Sequence, residues 1–366
     1  MEGDIAIAVM RINFIGDVFP GDETFTAGFG VRSATTPGIA SVWARNIAQA
    51  AGQADYIVGN LEAPLVDAPE GEIFCGHPFF ADILKSAGVN VLNIANNHIM
   101  ERGFEGFEHT VCELQSRRLA VTGLVKDGVP VPVTLQKGDT SICMAAFCDE
   151  SVCSLDNPGC YASLDETLVM ETLGRMKATG ADVLVFIFHW GREYVHIPSP
   201  SQRRIARMLI DGGANLVVGH HPHVIQPYER YKDGHILYSL GNFCFDDIQS
   251  AHFGRGMTAS VGIEGGAIRE VSLSGVSLQD MAYSDSLVQK MPEEEFKRHF
   301  TAVQEGYQSL QEMPESRYES EFERLSRRAH RREKLQMRLD LICKMLDVTH
   351  RHKNLLLRNV RRFILK

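Results

Sequence analysis

Short runs of Val, Ile and Phe punctuate roughly the first 240 residues, and the stretches between them repeat their apolar positions every three or four residues. The runs predict strands: RINFIG (11–16), DYIVGN (55–60), NVLNIA (90–95), SICMAAF (141–147), VLVFIF (183–188), NLVVG (215–219) and HILYSL (235–240). The intervening periodicity predicts helices near 38–51, 79–87, 104–118, 166–179 and 200–212. Pro37 stands at an expected first helical position, and Gly88, Gly180 and Gly212 stand just past expected helix ends. Strands that are apolar almost throughout, alternating with helices, describe a sheet covered on both faces, so the fold class is α/β. From Met257 to Leu278 the pattern turns to alternating residues with Gly turns, as in a closing antiparallel hairpin.

The pattern changes after about residue 290. Pro292 followed by Glu293, Glu294 and Glu295 marks a helix start with acids at the positive end of the dipole. Beyond Pro314 runs a long helical stretch without Gly or Pro. Leu335, Leu339, Ile342, Leu346, Leu356, Val360 and Phe363 fall on one stripe, interrupted by Thr349 and Lys353. Residues 315–366 hold 15 of the 37 Lys and Arg but only 7 of the 46 Asp and Glu, so a basic tail follows an acidic body. Such a body argues against nucleic acid as a partner. The tail is either a helix packed on its own domain with a solvated basic face, or a surface for an anionic partner or membrane lipid.

Composition narrows the class further. With 366 residues, 44% hydrophobic and 23% charged, the chain is neither fibrous nor mainly disordered. No apolar run approaches the roughly 18 residues of a membrane-spanning helix. Met1 to Arg11 lacks the features of a secretory signal, and Met10 directly precedes the first strand. Residues 1–9 are therefore expected to be dispensable or not translated, with the start at Met1 or Met10. The eight cysteines form no CxxC pair, which fits buried free thiols in a reducing compartment, and the expected location is cytoplasmic, with peripheral contact at the inner membrane face through the tail. Cys148, Cys153 and Cys160 match no zinc spacing and receive no role.

The strand ends carry the chemistry. Asp17 follows FIG; Asn60 and Glu62 follow DYIV; Asn96, Asn97 and His98 follow NVLNIA; His189 follows VLVFIF; His220, His221 and His223 follow NLVV; Asn242 and Asp246 follow ILYSLG. Ligands of open α/β sheets bind outside the carboxyl ends of the strands. Singly, each residue has a structural reading: a buried hydrogen-bonded histidine, a cap at Asp17, turn residues at Asn96 and Asn97. Jointly, four imidazoles, two carboxylates and a carboxamide at one sheet edge are unfavourable to desolvate unless a cation satisfies them. In an extended segment His221 and His223 face one ion and His220 faces away, with Pro222 stiffening the pair. Nitrogen and oxygen donors without thiolate suit Mn, Zn or Fe(II), as one ion or two. Arg192 is expected to meet an anionic substrate group, with surface salt-bridging as its alternative. Ser199 reads as a helix cap, and Asn242 and Asp246 as residues that orient ligands.

The segments FIGDVFPGD, GNLEAPL, NIANNHIMERGFEG, FHWGREYVHIPSPSQ, GHHPHVIQPYE and YSLGNFCFD resemble, in order, the motifs of the CapA-type capsule-synthesis proteins. That family is associated with bacterial poly-γ-glutamate capsules and belongs to the calcineurin-like metallophosphoesterase superfamily. The resemblance spans roughly residues 11–250 and implies a four-layer αββα sandwich with a divalent metal centre at one sheet edge. It implies metal roles for Asp17, for Asn60 or Glu62 at the bridging position, and for Asn97, His189, His221 and His223. His98 would contact substrate or donate a proton. Two departures stand out: Phe19 occupies the histidine position of the usual Asp-x-His motif, and GNLE replaces the motif that carries the bridging aspartate. Both leave open a single tightly held ion, or a second that arrives with substrate.

The expected organisation is a metallophosphoesterase-like domain over 10–285 and a basic C-terminal helical extension over 290–366. The expected function is metal-dependent hydrolysis of a phosphate ester within capsule or surface-polymer synthesis, on an anionic small-molecule or polymer substrate and beside capsule-synthesis partner proteins. Two alternatives are a non-catalytic accessory role in polymer assembly or export, and cleavage of a γ-glutamyl amide.

Overall fold

The computed structural model describes residues 9–69, 71–245, 254–278, 286–347, 357, 359 and 360. In chain order the strands are β1 (Met10–Val18), β2 (Tyr56–Leu61), β3 (Val89–Asn93) and β4 (Ala120–Thr122), then a small hairpin of β5 (Val125–Lys126) and β6 (Val129–Pro130). Next come β7 (Val133–Lys137), β8 (Thr140–Cys148), β9 (Val183–His189), β10 (Leu216–His220), β11 (Tyr228–Tyr231) and β12 (Gly234–Leu237). The last are β13 (Asn242–Cys244), β14 (Arg255–Glu264), β15 (Ala267–Leu278) and β16 (Val288–Lys290). Helices α1 (Val31–Ala34), α2 (Ala40–Ala51), α3 (Phe80–Ser86) and α4 (Gly103–Ser116) lie among the first strands. α5 (Glu166–Ala178) and α6 (Pro200–Asp211) join the middle ones, and α7 (Glu293–Gln311) and α8 (Glu315–Asp347) end the chain.

The single sheet expected from the alternation is in fact two. One has the order β16-β15-β14-β1-β2-β3-β4 with β13 also on β1; the other has the order β11-β12-β10-β9-β8-β7. The first is parallel from β1 to its edge at β4, with antiparallel strands on its other margin; the second is parallel through β8, β9, β10 and β12, with antiparallel strands at both margins. A period of two explains how each strand can be apolar on both sides. Ile12, Phe14 and Val58 of the first sheet meet Met144, Ala146, Val185, Ile187 and Val218 of the second in a core between the sheets. The alternate residues face outward: Ile15, Ile57 and Leu92 pack with Trp43, Ile47, Phe80 and Leu84 under α2 and α3. Phe147, Phe186 and Phe188 pack with Val169, Leu173, Ile205 and Leu209 under α5 and α6. The result is helix, sheet, sheet, helix: the four-layer αββα sandwich.

All seven expected strands and all five expected helices form, within a few residues of their expected ends. The hairpin expected over Met257–Leu278 is β14 with β15, and Ser199 caps α6 in a reciprocal capping box with Gln202, ahead of Pro200. Strands β4, β5, β6, β7, β11, β13 and β16 were not anticipated; they are short or half-exposed, so they show no apolar run.

The C-terminal stretch does not stand apart. Phe296 of α7 lies against Gly275 and joins the core between the sheets, while Tyr307, Leu310, Tyr318 and Phe322 join the outer core over α6. The Tyr318 hydroxyl donates to the Pro198 carbonyl at 2.6 Å, and the Arg203 guanidinium stacks 4.0 Å from its ring centroid. Of the stripe expected further along, Leu335 is exposed and Val360 is partly buried. Leu339, Ile342, Leu346, Leu356 and Phe363 lie outside the described side chains. Among the described residues no helix is long and apolar enough to cross a membrane.

Two glycines let the strand ends close on one another. A Cβ on Gly16 would stand 2.1 Å from the Gly241 carbonyl oxygen, and one on Gly219 would stand 1.9 Å from that of Tyr238. Both obstacles are backbone, which cannot swing aside. Gly16→Ala and Gly219→Ala are each expected to destabilise the protein by about 1–3 kcal/mol or more, as overpacking does, measured by denaturant unfolding.

Candidate metal centre

The parallel strands of both sheets point their carboxyl ends the same way, and the loops that leave them meet. The expectation of one sheet edge is thereby corrected: Asp17, Glu62 and Asn97 come from the first sheet, and His189, His220, His221 and His223 from the second. Asp17, Glu62 and His189 are fully buried, and Asn97, His220, His221 and His223 nearly so.

Asp17 is held from three sides. The His220 Nδ1 lies 2.9 Å from its Oδ1, the Asn60 amide donates to the same oxygen at 2.9 Å, and the His221 backbone N–H reaches Oδ2 at 3.3 Å. His220 does not face away, as the expected extended segment would require. The segment is a loop in which His221 (φ 94°) and His223 (φ 56°) both adopt left-handed backbone, so the alternation of an extended chain does not apply. Tyr194 (φ 66°) is a third such residue beside them. Conformations of this kind cost on the order of 1–3 kcal/mol each and persist where a site requires them.

Asn60 and Glu62, alternatives for the bridging position, are used differently. The Asn60 carboxamide is fully engaged: its nitrogen serves Asp17 and approaches His189 Nδ1 at 3.3 Å, and its oxygen accepts from Asn93 at 2.8 Å and Asn96 at 3.3 Å. Glu62 is the reverse. Both of its carboxylate oxygens are buried without a hydrogen-bond partner. Its Oε1 lies 3.5 Å from His189 Nε2 and 3.6 Å from His223 Nε2.

The nitrogen His189 turns toward this centre is Nε2, which lies 2.8 Å from Asn97 Oδ1 and 3.2 Å from His221 Nδ1. His223 Nδ1 meets Asn242 Oδ1 at 2.9 Å and Asp17 Oδ2 at 3.4 Å. Three overlapping sets of donors result: Glu62, His189 and His221; Asp17, Glu62 and His223; and Glu193, His221 and His223, each within 4.8 Å of one another. Glu193 was not anticipated, because an acidic residue in the exposed turn after β9 resembles any solvated surface charge. Nor was the role of His220.

The electrostatics follow from burial. Desolvation alone would raise the Asp17 carboxyl, but hydrogen bonds from His220 and His223 outweigh it and hold the group well below the usual carboxylate range. Burial drives Glu62 well above that range, and the neighbouring Asp17 charge pushes the same way. Burial also drives His189 well below its ordinary value and His221 down to about 3, each repelled by another imidazole. His223 alone is pulled up, against its burial, by Glu62 and Asp17. Imidazoles kept neutral by burial at His189 and His221, beside the orphaned Glu62 carboxylate and a His223 that a cation would relieve of its proton, are the donor set that a borderline divalent cation takes, so the residues fit such an ion.

His98 lies at the rim. Its Nδ1 meets Glu101 Oε1 at 3.0 Å, and its ring stacks on Phe74 at 5.3 Å. Phe19, in place of the motif histidine, stacks on Phe245 at 4.8 Å and turns an edge toward His98 at 5.9 Å, so a wall of aromatic rings fills that side. Arg192 is directed elsewhere: it pairs with Glu323 at 2.7 Å and Ser326 at 3.1 Å, and lines a cleft of about 1070 Å³ between α6 and α8 with Arg203, Glu319 and Phe322. Asp246 lies outside the described residues.

The fold is thus an αββα sandwich whose strand ends gather carboxylate, carboxamide and imidazole donors. The chain belongs to the family described as bacterial capsule synthesis protein PGA_cap, whose family model matches residues 11–247. It is 31% identical over 219 residues to the capsule biosynthesis protein CapA of Bacillus anthracis, covering 55% of this chain and 53% of that protein. It is 34% identical over 205 residues to the PGA biosynthesis protein CapA of Bacillus subtilis (strain 168), covering 52% and 53%. The chain thus spans about half the length of these curated relatives. A solved structure similar to it is the calcineurin-like phosphoesterase YfkN of Bacillus subtilis, at 13% identity and a TM-score of 0.45, covering 81% of this chain and 97% of that one.

Glu62→Gln separates the carboxylate's charge from its shape. Because the folded state raises the Glu62 pKa, an ionised Glu62 opposes folding at neutral pH when no cation is present. The metal-free variant is therefore expected to be more stable than wild type by about 1–3 kcal/mol. Added Mn²⁺ should raise the melting temperature of wild type and not that of the variant, and EDTA should reverse the wild-type shift. Thermal unfolding with and without Mn²⁺, together with elemental analysis of the purified protein, checks both.

Proposed function

We propose that this protein is a metal-dependent hydrolase of phosphoesterase type that acts on an anionic substrate in the assembly of a bacterial capsule or related surface polymer. The observation that carries this reading is Glu62: a buried carboxylate with neither oxygen hydrogen-bonded, common to two of the three donor sets. Glu62, His189, His221, Asp17 and His223 would hold one divalent cation or two, with Asn97 and Glu193 at the margin; Mn, Zn and Fe(II) all suit these donors. A bound cation would supply Lewis acidity toward a phosphoryl oxygen and a water acidic enough to attack near neutral pH.

The remaining work falls to the chain. Asp17, fixed by His220 and Asn60, keeps its negative charge. Asn60, itself fixed by Asn93 and Asn96, steadies His189 through Nδ1 so that Nε2 faces inward. His98 is partly open to solvent at the rim, and with Nδ1 on Glu101 its Nε2 is free to pass a proton to a leaving oxygen. The aromatic wall of Phe19, Phe74 and Phe245 keeps water from that side. Arg192 is not given a catalytic part, since its guanidinium is taken up by Glu323 and Ser326.

Purified protein with Mn²⁺ is expected to hydrolyse an aryl phosphodiester or monoester, and His189→Ala and His221→Ala are each expected to lower kcat/KM by at least about 100-fold. Equal rates for all three proteins would remove the hydrolase reading.

A second reading is favoured by Phe19 and by α8. On one side of that helix Arg324, Arg327, Arg328 and Arg331 gather within a shallow hollow, which suits an accessory protein that binds an anionic polymer. Removing residues 315–366 would not test this cleanly, because Tyr318 and Phe322 belong to the core. Replacing the four arginines by glutamine leaves the core intact. The accessory reading expects weaker, less salt-sensitive binding of poly-γ-glutamate, with aryl-ester hydrolysis unchanged, read by sedimentation across a salt series.

A further inference from the structure

Beside the centre, but not part of it, stand two thiols. Cys148 is the last residue of β8 and is fully buried; Cys153 follows the short 3-10 turn Glu150–Val152 and is partly open to solvent. Their sulfurs are 3.5 Å apart, both lie 3.7 Å from the Asp149 carbonyl, and the Tyr161 hydroxyl touches the Cys153 sulfur at 3.3 Å. A disulfide needs a sulfur separation of ~2.05 Å, so a small adjustment of one exposed turn suffices. Only four residues separate the pair, which favours intramolecular closure over any competing partner.

We propose that Cys148 and Cys153 are a redox modification site, in which Cys153 exchanges with a low-molecular-weight disulfide and Cys148 then closes an intramolecular bond. The Cys153 thiolate attacks one sulfur of the small disulfide and expels the other half as a thiol, leaving a mixed disulfide on Cys153. Cys148 loses its proton to solvent and attacks the Cys153 sulfur, and the second half leaves as a thiol. Two protein thiols are oxidised and one small disulfide is reduced to two thiols.

The assignment of attacker and resolver follows from position, since the partly open sulfur is the one a small molecule can reach. It is supported by the hydrogen bond from Cys148, which draws the Cys153 thiol down to about 7. The bond would also reach the strand end that carries His189: Cys148 pairs with His189 in the β8–β9 register, and the Asp149 N–H donates to the His189 carbonyl at 2.9 Å. The chemistry itself does not depend on a cation being bound.

The test uses the full-length reduced protein, incubated with oxidised glutathione at neutral pH, trapped with a maleimide under denaturing conditions, and mapped by mass spectrometry. The tryptic peptide that holds both cysteines is expected to lack two hydrogens. Its fragments should place the bond between residues 148 and 153, with Cys143 and Cys160 labelled, and dithiothreitol should abolish it. Cys112, exposed and without a neighbouring thiol among the described residues, should carry glutathione only. Cys148→Ser should stop at a glutathione adduct on Cys153, and Cys153→Ser should leave Cys148 unmodified. A wild-type protein in which Cys112 takes up glutathione while no bond forms between 148 and 153 overturns the proposal, as does Cys148→Ser giving the same products as wild type. The wild-type measurement decides the matter even if a variant fails to fold.

Discussion

Two carboxylates, Asp17 and Glu62, are closed inside this protein within reach of one another's field, and much else follows from how their charge is met. An ionised carboxylate moved out of water loses several kcal/mol of solvation unless partners replace it. Asp17 has those partners in His220, Asn60 and His223. Glu62 has none that donates a hydrogen bond, and the nearest nitrogens belong to imidazoles that burial keeps neutral or, at His223, already shared with Asp17. Fold stability alone would replace Glu62 with glutamine or an apolar residue. Its presence at the point where two donor sets overlap is the reason for reading the cluster as a place for a cation.

The sandwich is the means by which those groups are assembled. A single parallel sheet offers strand ends along a line, so donors from distant strands sit far apart. Two sheets packed face to face bring the ends of β1 and β2 over those of β9 and β10, so donors converge from both sides of a narrow gap. That convergence demands close backbone approach, which Gly16 and Gly219 permit, and a chain path after β10 that only left-handed residues at His221 and His223 provide. Non-glycine residues held in that region are strained, and here they coincide with the donors themselves. The strain and the orphaned charge are two expressions of one requirement.

Much of this was legible in the chain. The apolar runs located the central strands because those strands are buried on both faces, and the polar residues that follow all of these runs but SICMAAF marked strand ends at the site. Other features left no local signal. The division into two sheets depends on which strands pair, and VLVFIF reads the same in either sheet. The orientation of His220 depends on the left-handed turn at His221, and nothing in HHPH announces it. Asn60 and Glu62 stood as equal alternatives because their neighbours decide between them: Asn93 and Asn96 occupy the Asn60 amide oxygen, while no donor reaches Glu62. Arg192 had two readings, a substrate anion and a surface salt bridge, and the second is the one formed, to Glu323, which lies more than a hundred residues further on.

That last contact shows how the C-terminal segment relates to the rest. By charge it looks like a separate module, basic where the body is acidic. By packing its first part is not separate, since Tyr307, Tyr318 and Phe322 complete the apolar cover of α6, and Arg203 is enclosed between the two tyrosine rings. The basic character belongs to the other side of α8, where Arg324, itself paired with Glu321, gathers with Arg327, Arg328 and Arg331. One helix therefore does two things that composition alone merges. Its apolar face closes the outer layer of the second sheet, and its arginine face, on the other side of the helix, lines a separate hollow from the Arg192 cleft. A change on the arginine face acts on charge without touching the fold, whereas a change on the tyrosine face acts on the fold first. Because β9 leads directly into Arg192, the second kind of change would reach the metal centre as well.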